Sequence, residues 1–129
     1  MTVLRVTEES EVCFEGIAAA RERIAGQVRW TPCRFSEHLS RHVEGEIHLK
    51  LENLQETGSF KLRGVMNAIL SLGLAAAGRT LVAASTGNHG AAFAHAVSKL
   101  GLDGRLYMPC SASAAKVERV RATGLPLEL

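Results

Sequence analysis

The run Thr80-Leu81-Val82-Ala83-Ala84-Ser85-Thr86-Gly87-Asn88-His89-Gly90 decides the fold class. Its first five residues form a short apolar stretch, which suits a buried strand of a parallel sheet. A polar turn containing two glycines follows. Beyond it Phe93, Val97 and Leu100 recur at helical spacing, and Gly101 stands where a helix ends. Arg105-Leu106-Tyr107-Met108 then reads as another strand, stopped by Pro109. Strand, helix and strand joined by short connections make up the repeating unit of a parallel α/β sheet.

Working outward, the pattern continues in both directions. Ser113 can cap a helix holding Val117 and Val120 and ended by Gly124, and residues 125–129 begin one more strand. Upstream, Ile47-His48-Leu49-Lys50-Leu51 alternates as a strand does, and Val65, Ala68, Ile69 and Leu72 predict a helix from about Lys61 to Leu74. Residues 75–79 are a small-residue connection. The alternation from residue 47 onward predicts an α/β fold: a parallel sheet flanked by helices. Its last strand has no covering helix, so the chain reads as the front of a larger domain. Before residue 47 the signals are more local. Cys13, Ile17, Ala20 and Ile24 form an apolar helix face over 11–25, with Glu11, Glu15 and Glu22 on other faces and Gly26 after the end. Trp30-Thr31-Pro32 is extended, because proline disfavours helix at the residue before it. Ser36 can cap a short helix to about His42, and Glu44-Gly45 forms a turn.

Composition narrows the class of function. The chain has 129 residues, 47% hydrophobic and 22% charged, with a net charge of +2. That is enough for one modest core, and the basic residues are scattered, so no nucleic-acid or membrane surface is expected. No apolar run reaches the length of a membrane span. Residues Met1–Glu9 lack a signal-peptide pattern. Three cysteines, Cys13, Cys33 and Cys110, have no paired spacing, which predicts buried thiols in a reducing compartment and a cytoplasmic protein.

Two stretches carry chemistry. In Thr57-Gly58-Ser59-Phe60-Lys61-Leu62-Arg63-Gly64, Lys61 falls in the first turn of a helix. The positive end of the helix dipole disfavours an ammonium there by roughly 0.3–1 kcal/mol, a poor place for a structural lysine and a useful one for a nucleophilic amine. On this segment alone the favoured reading is the plainer one, a solvated lysine at a frayed helix start. In Ser85–Gly90 a strand gives way to a helix, the point at which open α/β sheets bind ligands, and the helix start can receive a carboxylate or phosphate. The plainer reading is a turn that needs Gly87 and Gly90 for its backbone angles. His38 and His42 lie four apart on a short helix, without a third metal ligand nearby, so no metal is expected. His48 and Lys50 share a solvated strand face. His95 reads as a partly exposed or core histidine, and Trp30 and Tyr107 as packing residues.

Taken together, the two stretches carry a resemblance. Lys50-Leu51-Glu52-Asn53, Ser59-Phe60-Lys61-Leu62-Arg63-Gly64 and Ser85-Thr86-Gly87-Asn88-His89-Gly90, in that order, resemble the pyridoxal-phosphate enzymes of the tryptophan-synthase β fold type (fold type II), and within them the serine/threonine dehydratase and serine racemase branch. Trp30-Thr31-Pro32 and the later Pro109, Lys116, Arg119 and Gly124 fit the same pattern. Leu62-Arg63-Gly64 and Asn88-His89-Gly90 separate the chain from cysteine-synthase-like and threonine-synthase-like members.

The resemblance implies the N-terminal part of a two-domain enzyme, with 1–52 starting the larger domain and 53–129 forming much of the smaller one. It implies Lys61 as the residue that forms the Schiff base with pyridoxal 5'-phosphate and then acts as base at the substrate Cα. It places Phe60 against the cofactor ring and Asn88 on the ring's 3' oxygen. Ser85, Thr86, Gly87, Asn88 and His89 are left to hold an amino acid substrate. The implied reaction is dehydration and deamination of a β-hydroxy amino acid to a 2-oxo acid and ammonia. Thr86 stands where racemases often carry serine and threonine dehydratases a small alanine, so serine racemase stays an alternative. The Ser85–Gly90 form also resembles dehydratases of hydroxyectoine breakdown. A non-catalytic truncated fragment is the remaining alternative, because the family's glycine-rich phosphate loop is not among these residues. The resemblance further implies a homodimer in the full-length enzyme.

Overall fold

The computed structural model describes residues 12–129, apart from the side chain of Arg119. The reading of Met1–Glu9 and the position of Glu11 lie outside these residues. Strands β3 (Leu81–Ala84), β4 (Gly104–Tyr107) and β5 (Leu127–Glu128) form a parallel sheet in the order β3-β4-β5. Leu81 pairs with Gly104 and Leu106 with Leu127. Helix α4 (Asn88–Leu100) crosses from β3 to β4, and α5 (Ala114–Arg121) crosses from β4 to β5. This is the α/β unit expected from residue 80 onward. Ala92, Phe93, Ala94, Ala96 and Val97 of α4 are buried, and Gly101 closes the helix with φ 64°. The small side chains let α4 lie close to the sheet. A Cβ at Gly104 would come within 2.8 Å of Val97 Cγ1, so only glycine fits there.

Helix α3 (Lys61–Leu72) packs on α4 and adds Leu62, Val65, Met66 and Ile69 to the core. It ends two residues before the expected Leu74, where Gly73 at φ 50° passes the chain into a 3-10 turn over Gly73–Ala76. Val117 and Val120 of α5 close the core with Leu106, Met108 and Leu125. Ser113 is the N-terminal residue before α5, although its side chain makes no capping hydrogen bond.

Several expectations are corrected. The strand at 47–51 does not join the parallel sheet. It forms β2 (His48–Lys50), which pairs antiparallel with β1 (Cys33–Phe35) in a separate two-stranded sheet. The alternation of β2 is a true strand signal, but alternation says nothing of the partner, which is the short segment that follows Pro32. The β3 strand is parallel as expected yet not buried on both faces: Val82 is 62% exposed, because α4 covers only the side carrying Leu81 and Ala83. Helix α1 (Phe14–Arg23) is shorter than 11–25 and buries none of its own residues; Ile24, just past its end, is buried. The three cysteines are exposed rather than buried. They sit on α1's margin, on the two-stranded ribbon and after β4, where none of the described residues forms a second layer over them. Trp30 and Tyr107 are exposed as well, so neither is a packing residue among the described elements. Trp30 instead takes the Arg21 guanidinium and the Lys50 ammonium over its ring, at 5.6 and 5.4 Å from the centroid. Helix α2 (Glu37–Val43) is capped by Ser36, whose hydroxyl accepts from the Leu39 amide at 3.4 Å, as expected.

Candidate active site

Lys61 is the first residue of α3. The residue before it, Phe60, provides no side-chain cap, and the first turn holds no acidic residue. The helix start is therefore electrostatically unneutralised from within. Lys61 is exposed, and among the described residues its ammonium makes no ion pair or hydrogen bond; it lies 5.2 Å from the centroid of the Phe60 ring. Two residues back, Ser59 is buried and its hydroxyl finds no partner among the described residues. A buried hydroxyl left so costs about 1–3 kcal/mol, a cost that a polar ligand atom would remove.

The second stretch sits at the carboxyl end of β3. Ser85 and Thr86 are half-buried in the loop, while Gly87, Asn88 and His89 are exposed. Ser85 Oγ accepts from the Gly87 amide at 3.2 Å, turning the chain into α4. No side chain caps α4, whose first residue is Asn88. Its first-turn amides are thus left for an external acceptor. The two glycines differ. A Cβ at Gly90 would lie 2.9 Å from the Ser85 carbonyl oxygen, so Gly90 is required by the fold of the loop itself. A Cβ at Gly87 would meet nothing within 4 Å, so space is open beside the helix start. A small anion fits this arrangement. Lys61 and Asn88 thus open two helices that pack on each other.

A polar network around the first stretch has residues to which the sequence reading gave no role. Glu52, in a 3-10 turn over Glu52–Leu54, receives a fork from Arg63: Nε to Oε2 at 3.0 Å and a terminal nitrogen to Oε1 at 2.8 Å. The buried Thr31 hydroxyl donates to the same Oε1 at 2.5 Å. Arg63, aided by Thr31, holds the Glu52 carboxyl at about 2, below its ordinary 4.5. The buried Gln55 side chain accepts from the Arg29 amide at 2.8 Å and donates to the Arg29 carbonyl at 3.0 Å. Lys50 is tied in too, donating to the Thr31 carbonyl at 2.5 Å. A second cluster joins the loop before α3 to α4: Glu56 Oε2 lies 2.7 Å from His95 Nε2 and 3.4 Å from Lys99 Nζ. Burial pushes the Glu56 carboxyl up, and Lys99 with His95 outweighs that and leaves it lowered. His95 is thus half-buried beside a carboxylate. The signal available in sequence is a pair of opposite charges, Glu52 ahead of the Lys61 stretch and Arg63 within it.

A groove of about 690 Å³ between α1, Trp30 and α3 is lined by Arg63, Gly64 and Asn67 but by neither Lys61 nor the Ser85–Gly90 loop. Among the described residues no group of three His, Cys, Asp or Glu is placed to hold a metal, and no helix is long and apolar enough to cross a membrane.

An uncapped helix start carrying an unpaired lysine, on a helix that packs against a second one whose start is also uncapped and has open space, suits a cofactor that has an aldehyde and an anionic group. Residues 24–127 match the family described as pyridoxal-phosphate dependent enzyme. The chain belongs to this family. It is 39% identical over 114 residues to the catabolic L-threonine dehydratase of Escherichia coli K12, covering 88% of this chain and 35% of that relative. It is 37% identical over 111 residues to the beta-hydroxyaspartate dehydratase of Paracoccus denitrificans, covering 86% of this chain and 35% of the relative. Among solved structures, the serine racemase of Dictyostelium discoideum superposes with a TM-score of 0.82 at 32% identity, over 88% of this chain and 37% of that one. The fold is that of fold type II pyridoxal-phosphate enzymes, and the chain spans roughly a third of the length of the relatives it matches.

Proposed function

We propose that this chain carries the lysine-bearing part of a pyridoxal-phosphate-dependent ammonia-lyase acting on a β-hydroxy amino acid. The observation that carries the reading is Lys61: an unpaired amine on the first residue of an uncapped helix, next to a buried, unpartnered Ser59 hydroxyl. Lys61 would hold the cofactor covalently and, once released by the incoming substrate, take the Cα proton on its Nζ. Phe60 would lie along the ring and Asn88 would donate to the ring oxygen. The loop 85–89 would bind the substrate carboxylate through the Ser85 and Thr86 hydroxyls and the first amides of α4, which fixes the Cα–H bond relative to Lys61. Pyridoxal phosphate, when bound, supplies the electron sink for the Cα carbanion. Loss of the Cβ hydroxyl as water, and later hydrolysis, gives the 2-oxo acid and ammonia. The dehydratase relatives support this outcome.

Turnover on this reading needs sequence beyond the 129 residues to anchor the cofactor phosphate, with 1–52 belonging to the larger domain and 53–129 to the smaller. The complete enzyme is then a cytoplasmic homodimer. A racemase is the second reading, favoured by the half-buried Thr86 hydroxyl and by the serine racemase likeness.

The test is a product assay with pyridoxal phosphate and L-threonine, L-serine or β-hydroxyaspartate. Release of 2-oxo acid with ammonia, abolished by Lys61→Ala, supports the lyase. Formation of D-amino acid without 2-oxo acid replaces it with the racemase. Cofactor labelling at Lys61 without turnover supports a site completed by further chain.

A further inference from the structure

The lysine of the site is held by nothing of its own. Its neighbours, however, are fixed on two sides. Leu62 is wholly buried in the core. Arg63 turns the other way and is forked onto Glu52. Successive helix residues are set about 100° apart, so anchoring 62 and 63 fixes the direction of the Lys61 Cα–Cβ bond, from which the side chain starts. The anchor itself is built deep. Glu52 also accepts from Thr31, which is fully buried, and Arg63 reaches the Arg29 carbonyl and the Thr31 hydroxyl, both at 3.3 Å. Gln55 clamps both backbone groups of Arg29, and the Leu51 amide donates to the Pro32 carbonyl at 2.9 Å. Segment 29–32, the turn 52–55 and the first turn of α3 are therefore tied together by hydrogen bonds.

The start of α3 needs such an anchor. It has no capping side chain and no first-turn acid, the two usual devices that stop a helix from fraying. We infer that the Glu52–Arg63 ion pair is the positioning device of the site: it substitutes for a helix cap and aims the Lys61 amine at the cofactor. Neither residue touches the reacting atoms. The inference rests on the reading of Lys61 as the cofactor lysine.

The test compares the 129-residue chain with Glu52→Gln, which keeps the shape and removes the charge, and with Arg63→Lys, which keeps the charge and removes the fork. Each is incubated with pyridoxal phosphate, reduced with borohydride across a pH series and peptide-mapped, with Lys99 and Lys116 as internal references. Amide hydrogen exchange at residues 60–64 is read on the same samples. Both variants are expected to lose Lys61 labelling by about tenfold or more relative to the two references, and to exchange the first-turn amides faster, while circular dichroism stays native. Wild-type labelling of Lys61 in a natively folded Glu52→Gln chain, with unchanged exchange at 60–64, overturns the inference. If Glu52→Gln does not fold, Arg63→Lys decides by the same two readouts. If the wild-type chain itself shows no preference for Lys61, the cofactor reading fails, and the exchange data still tell whether the ion pair holds the helix start.

Discussion

Helices α1 and α4 have the same kind of apolar stripe in sequence and opposite fates in the fold. α4 lies between α3, α5 and the parallel sheet and buries six of its residues. Among the described elements α1 packs chiefly on α3 and buries none of its residues, leaving Phe14 and Ile17 in the open. Spacing shows which face of a helix is apolar. Whether that face is covered depends on elements elsewhere in the chain. The same division runs through the molecule: residues 61–129 hold most of a layered core, whereas residues 12–50 are a helix, a ribbon and a short helix that add Ile24 to that core and are tied on by the polar network at Glu52.

Substitutions can break this contrast or sharpen it. Leu106 is fully buried in the parallel half, and Leu106→Ala is expected to lower the unfolding free energy by about 2–5 kcal/mol in urea titrations. A cost near zero would mean that this half is not the stable core. The seam between the halves comes next. Glu52 keeps a carboxyl depressed to about 2 from 4.5, so its contribution is complete above pH 4.5 and is lost as pH falls toward 2. That difference is worth on the order of 3 kcal/mol. Glu52→Gln should therefore flatten the acid limb of stability against pH between those values, and an unchanged limb would remove the seam from the account. Gly90→Ala should cost about 1–3 kcal/mol, because its Cβ would press on the Ser85 carbonyl oxygen and move the loop as well as the helix. Ile17→Ala is the smallest, within about 0.5 kcal/mol. A loss as large as that at Leu106 would show that the face of α1 is covered in solution.

Much of the parallel half was legible in sequence because its signals are short-range and agree. The apolar run at 80–84, the stripe of Phe93 and Val97, and Gly101 at a positive φ each indicate the same crossover. The family motifs were legible for a different reason: they are fixed runs of residues, read without knowing the fold. What was not legible depends on distant partners. Nothing near 47–51 shows that its partner is 33–35, and nothing near Cys13, Cys33 or Cys110 shows that no layer lies over them. In sequence Glu52 and Arg63 are only letters of a motif. Their pairing needs Thr31 and Arg29, which lie more than twenty residues upstream of Glu52 and join the network only through the fold.

The central claim is that Lys61 is the cofactor lysine, and peptide mapping of the chain after pyridoxal phosphate and borohydride tests it most directly. The account predicts one dominant modified peptide carrying Lys61, with Lys50, Lys99 and Lys116 marked weakly. Labelling spread evenly over the four lysines would contradict it.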